Sequence, residues 1–231
     1  MVGTRAADVE TLLHRCDEDV ARVEQSYKAS LQSQHVRSDL QVDIKNLCGN
    51  LRSVLDYLAH DIRETHCPTA PKARFYFPIL DSRAAFEGQV RNWYPGLDTA
   101  APDLFAYLER VQPYHPAYSW VGAFNRINNE NKHGNLVAQT RVQTEQVRVA
   151  TQGGGQVNWS PQNVRFGSGV SIGGIPVDPR TQMPLPDPSL RVERIIWVDF
   201  RFEGENVSAL GLLREAVTGV RAISKEIQQW L

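Results

Sequence analysis

Arg126, Glu130 and His133 fall on one stripe of a predicted helix, and a guanidinium and an imidazole so placed, with a carboxylate between them, can form a site for a phosphodiester. Seven steps of about 100° return almost to the starting angle, with a rise of roughly 10 Å, so the Arg126 and His133 side chains can converge on one ligand. Arginine can steady the charge of a phosphodiester while histidine moves a proton, and Glu130 between them can orient the imidazole. Asn129 and Lys132 flank the stripe as candidate binding residues. The residues leave a second reading open, an exposed helix end with ordinary charges.

The same stretch carries Asn128, Asn131 and Asn135, which continue a seam begun by Val121 and Phe124. Asparagine is a poor helix former, because its amide competes for backbone hydrogen bonds. A buried amide without partners costs about 1–3 kcal/mol. These amides are therefore expected to bridge to loop backbone or neighbouring helices, as a polar network fixing the bundle.

Three other constellations point to chemistry and fall short of it. Asp56, His60 and Glu64 share one helical face, with His66 nearby, at a spacing that metal-binding bundles use. No second helix offers a matching pair, and Arg52 with Asp56 reads equally as a surface ion pair on a solvated face. Gly169-Val170-Ser171-Ile172-Gly173 has the form of a nucleophile elbow, but Gly174 and Pro176 forbid the helix that must follow, and all six histidines lie at or before His133. Gly153-Gly154-Gly155 lacks the lysine of a phosphate loop and reads as a turn. No cofactor and no metal are expected.

The 231 residues are 42% hydrophobic and 22% charged, an ordinary globular composition long enough for a sizeable core. The formal net charge of −1 supplies no global basic field, so contact with nucleic acid has to be local. No apolar run is long enough to span a bilayer, and Thr4, Arg5, Asp8 and Glu10 interrupt any signal peptide, which predicts a cytoplasmic protein away from membranes. Cys16, Cys48 and Cys67 show no CxxC spacing and read as small, reduced core residues.

Long helices must position the stripe. Val9, Leu13, Cys16, Val20, Val23, Tyr27 and Leu31 trace one helical seam, and Leu40, Ile44, Leu47, Leu51, Val54, Leu58 and Ile62 trace a second. Ser38 and Gln41 form a capping box before the second helix, and Cys67-Pro68 closes it. Residues 70–101 read as a long crossing loop with short elements, and Pro102 opens a short helix. A third long helix is predicted over 118–134 and a fourth over 207–230. Between them lie strands, of which 195–202 is the best, and a proline-rich arm through Pro176, Pro179, Pro184, Pro186 and Pro188 that cannot form a central strand. The expectation is an α+β fold in a single domain of 1–231. A four-helix bundle (1–140 and 205–231) carries a small antiparallel β insert (141–204) between its third and fourth long helices.

Three segments, Leu51-Arg52-Ser53-Val54-Leu55-Asp56-Tyr57-Leu58-Ala59-His60, Gln112-Pro113-Tyr114-His115-Pro116 and Asn128-Asn129-Glu130-Asn131-Lys132-His133, together resemble a group of uncharacterised bacterial and phage-associated proteins. More distantly, a helical bundle with Arg-x6-His resembles the HEPN superfamily. That resemblance implies a metal-independent endoribonuclease of toxin or phage-defence type, or a nucleotide-binding protein. Its catalytic pair would be Arg126 and His133, in a cleft shared across a homodimer. The chain departs from the HEPN pattern at Ile127, where a polar residue usually follows the arginine. The alternative is a non-catalytic scaffold that binds a protein partner through the β insert and the proline-rich arm.

Overall fold

The computed structural model describes residues 5–33, 38–133, 139–202 and 207–231, and of 28–33, 38, 131–133, 139–146 and 193–202 the backbone alone. The fold is α+β, and the chain divides into two compact units, 1–140 with 200–231, and 141–199. Among the described residues no helix is long and apolar enough to cross a membrane.

The first unit is helical. Helix α1 (Ala6–Ser33) packs on α2 (Ser38–His66), and both pack on α7 (Ala209–Ile227), while α6 (Ser119–His133) lies against α2 and α7. All seven seam residues of α2, from Leu40 to Ile62, are buried. Each such side chain contributes about 1.5–3 kcal/mol by leaving water, and this is what holds a helix of that length in place. The α1 seam is interrupted: Val20 is half-buried and Asp19, one residue earlier, is buried instead. Cys16, Cys48 and Cys67 are buried free thiols, and burial pushes Cys16 and Cys48 each up to about 12. The capping box at Ser38 lies outside the described side chains, as do Leu31, Asn131 and Asn135.

Helices α6 and α7 approach closely at one glycine. A Cβ added at Gly219 of α7 would stand 2.1 Å from Cζ2 of Trp120 on α6, so only glycine lets the indole lie on the helix backbone. Helix α7 starts at Ser208, whose hydroxyl accepts a hydrogen bond from the Gly211 amide at 3.3 Å. Helix α1 is fastened at its start by Arg5, whose Nη1 and Nη2 donate to Asp61 and Glu64 of α2 at 2.6 and 2.7 Å.

The crossing segment contains α3 (Arg83–Trp93) and α4 (Leu97–Ala100) before α5 (Pro102–Arg110). Gln112 nails it down. Fully buried, its Oε1 accepts from the Leu80 amide at 2.9 Å and its Nε2 donates to the carbonyls of Pro78 and Leu108 at 3.0 and 2.7 Å. A buried glutamine satisfied this way replaces the ladder that an extended segment would otherwise need.

In the second unit, β1 (Gln139–Thr151) pairs with β2 (Gln156–Trp159) on one side and β6 (Leu190–Phe202) on the other. Val147 and Val149 alternate inward on β1 and pack with Trp159, Ile172 and Val177. A second small antiparallel sheet runs β3 (Ser171–Ile172), β4 (Ile175–Asp178), β5 (Met183–Pro184). Gly173 and Gly174, with φ of 59° and 84°, make the two-residue turn that joins β3 to β4. The proline arm corrects the sequence expectation, since Pro176 lies in β4, the middle strand. The β4–β5 ladder holds only Val177↔Pro184 and Asp178↔Met183. Pro176 faces Ser171 in the β3–β4 ladder, one pair beyond the turn, where an antiparallel pair exchanges no backbone hydrogen bonds. Its carbonyl still accepts from the Leu185 amide at 2.9 Å.

Candidate functional site

Helix α6 is set by its apolar side. Val121, Phe124, Ile127 and Asn128 are buried, while Arg126, Asn129 and Glu130 are exposed on the opposite side. The Arg126 side chain runs back toward the start of the helix. A Cβ at Gly122 would stand 3.3 Å from its Nη1 and 3.0 Å from Cβ of Pro113, so the guanidinium lies beside Pro113 on the bare backbone of Gly122. Glu130 and His133 follow Arg126 in the other direction along the helix. The side chains of Lys132 and His133 are outside the described residues, so the Arg126–His133 geometry is given only by their shared helical stripe.

Beside that stripe is a cleft of about 500 Å³ between α2, α6, the segment after α2 and α3, lined by Arg52, Asp56, Tyr76, Phe77, Ile79, Trp93, Asn125 and Asn129. Its floor is ionic and well ordered. Arg52, 8% exposed, contacts both carboxylate oxygens of Asp56 (3.2 Å from Nε, 3.0 Å from Nη2), and it donates to Oδ1 of Asn125 at 3.1 Å and the carbonyl of Phe77 at 3.2 Å. Asp56 in turn accepts the Phe77 amide at 3.0 Å. Because Asn125 offers its oxygen to Arg52, its NH2 is the end left for a ligand. The walls are aromatic: Tyr76 and Trp93 meet edge to face at 6.1 Å, and the Tyr94 hydroxyl fixes the Tyr76 carbonyl at 2.8 Å. Asn129, one turn beyond Asn125, is exposed at the mouth.

The pair Arg52–Asp56 is thus a correction to the solvated-face reading of α2. The crossing segment folds over that face and buries Arg52 while Asp56 stays a quarter exposed, and the helical pattern of α2 alone carries no sign of it. The other proposed metal ligands are engaged elsewhere. The His60 ring packs on Phe75 at 4.6 Å, Glu64 is held by Arg5, and His66 Nε2 lies 2.8 Å from the Trp230 carbonyl. Among the described residues no group of three histidine, cysteine or carboxylate side chains could hold a metal ion.

Asn129, expected from the sequence beside Arg126 and His133, lines this cleft, and the sequence reading has no place in it for Arg52, Asn125, Tyr76 or Trp93. The aromatic pair comes from a segment without periodicity, where only the run Phe75-Tyr76-Phe77-Pro78 hinted at packing. All three segments of the resemblance meet here: the first gives Arg52 and Asp56, the second pins residues 78 and 80 through Gln112, and the third gives Asn129. Further along, Lys72 and Arg74 are exposed around a hollow of about 530 Å³ that also includes His60, Arg63 and Phe75. No protein-family model, curated protein sequence or solved structure matches this chain.

Proposed function

We propose that this chain binds RNA or a nucleotide along the outer face of α6, on a four-helix bundle of α1, α2, α6 and α7. Two copies, as a homodimer, would join their Arg126 and His133 side chains into a metal-independent endoribonuclease site of HEPN type. The supporting observation is the pairing on one helix face of Arg126 and Asn129 with a cleft that offers two amides and two aromatic rings. Amides read base edges and aromatic rings stack on bases, which is how single-stranded RNA is held. Lys72 and Arg74 supply the local cations that a net charge of −1 otherwise withholds.

In this reading His133 of one copy removes the ribose 2′ proton, and the 2′ oxygen attacks phosphorus. The bond to the 5′ oxygen breaks, and that oxygen takes a proton from the imidazolium of the second copy. A 2′,3′-cyclic phosphate and a 5′ hydroxyl result. Arg126 stabilises the phosphorane, and Glu130 orients the imidazole. Purified protein should cleave single-stranded RNA in EDTA, and His133→Ala should abolish cleavage at an unchanged melting temperature. Cleavage that survives His133→Ala would contradict the catalytic assignment.

A second reading, a non-catalytic scaffold, draws support from the 141–199 unit. There Val157, Leu185 and Val192 are 44, 48 and 42% exposed, apolar positions suited to a protein partner.

A further inference from the structure

On the other side of α6, residues of α1, α2 and α6 enclose a polar pocket of about 470 Å³ that the outer-face reading does not use. Asn128 lines it, is 2% exposed, and its amide nitrogen has no hydrogen-bond partner among the described residues. A buried N–H group left so is costly, and it calls for an acceptor inside the pocket. Beside it Asp19, 6% exposed, accepts three N–H donors: Oδ1 takes Arg15 Nε at 3.2 Å and Arg22 Nη2, and Oδ2 takes Asn50 Nδ2 at 3.0 Å.

That arrangement decides the ligand's sign. Both Asp19 oxygens already accept N–H donors, so the carboxylate is poorly placed for a cation. What it does is hold two guanidiniums, of which Arg15 also donates to Glu18 Oε2 at 3.0 Å, and a guanidinium carries five N–H groups of which these contacts use a fraction. Lys45 adds a third cation against the second carboxylate, Asp43, and both line the same pocket. The lining thus carries three cations against two carboxylates, with N–H donors in excess. We infer that this pocket binds a compact oxyanion, a phosphate or phosphate monoester, with Asn128 Nδ2 donating to one oxygen and Arg15, Arg22 and Lys45 neutralising its charge. The volume accommodates a phosphate with a substituent on one oxygen.

The site is distinct from the outer face of α6, because Asn128 is buried and lines this pocket while Asn129 is exposed and lines the outer cleft. Titration of the full chain with inorganic phosphate, followed by calorimetry and by melting temperature, tests it. Wild type should bind phosphate and melt higher in its presence. Asn128→Leu removes the charge-assisted hydrogen bond, and Lys45→Met removes an exposed cation; each should weaken binding by about tenfold. Asn128→Leu should also melt at or above wild type in phosphate-free buffer, since a donor without a partner has been replaced by an apolar side chain of similar size. Adenosine monophosphate distinguishes the sources. Binding at least about tenfold tighter than phosphate, and lost in both variants, identifies a monoester, whereas equal affinity identifies free phosphate. No phosphate binding by wild type, or binding unchanged in both variants, overturns the inference. A water molecule alone would then satisfy Asn128.

Discussion

Arg52 lies where the pattern of α2 would put a surface residue, yet it is 8% exposed and touches Asp56, Asn125, the Phe77 carbonyl and, at 5.9 Å, the Tyr76 ring. Removing Arg52 leaves the Asp56 carboxylate, a quarter exposed, and the Phe77 carbonyl without the guanidinium's N–H donors. Arg52→Met should therefore lower stability by about 1–3 kcal/mol in urea unfolding. Arg52→Lys should recover little, because a single ammonium cannot span three acceptors held by a planar fork. A loss in Arg52→Met no larger than that of an exposed substitution would show that the cleft floor is not the anchor described. Asn128 was legible in the sequence, since it continues the spacing of Val121 and Phe124. The fate of its amide was not, because spacing locates a side chain and says nothing of its partners.

At the level of elements, helix contacts decide what sequence pattern leaves open. Gly219 looks like an unfavourable residue inside α7, but Trp120 occupies the space of its missing Cβ. Gly219→Ala should destabilise by about 1–3 kcal/mol despite better helix propensity. Trp120→Phe should restore part of the loss in the double variant, as thermal melts would show; additive effects would place the clash elsewhere. The α1–α2 junction carries a pH dependence. The hydrogen bond from Arg5 holds the Glu64 carboxyl below the usual carboxylate range. A folded value below the unfolded one means that the junction's stabilisation is present above about pH 4.3 and lost as pH falls through the folded value. Glu64 is one-third exposed, so the effect stays under about 1 kcal/mol. Glu64→Gln should flatten the acid limb of the melting curve, and an unaltered limb would contradict the assignment. The α2 seam was readable because strict three-and-four spacing admits one helical face. The α1 seam misled by one residue at Asp19, where the partners that allow burial come from α2 as well as from α1. Pro176 misled differently, since its place opposite Ser171 is one that exchanges no backbone hydrogen bonds with β3, so the missing donor is tolerated there.

For the whole molecule, the α+β class and the order of helices around a β-rich segment followed from periodicity and glycine spacing. The cleft did not, because its walls come from α2, α3, α6 and a crossing segment pinned by Gln112, and only folding brings those together. The proposal that the outer face of α6 holds RNA or a nucleotide is decided by the affinity of the full chain for a single-stranded RNA oligonucleotide at two salt concentrations, for wild type and Arg126→Ala/Asn129→Ala. Wild type should bind, and more weakly in high salt, as phosphate contacts require. The double variant should lose about tenfold or more in affinity at an unchanged melting temperature, one guanidinium contact alone being worth about 1.5–3 kcal/mol. An affinity equal in the two proteins, or no binding by wild type at either salt, would contradict the claim.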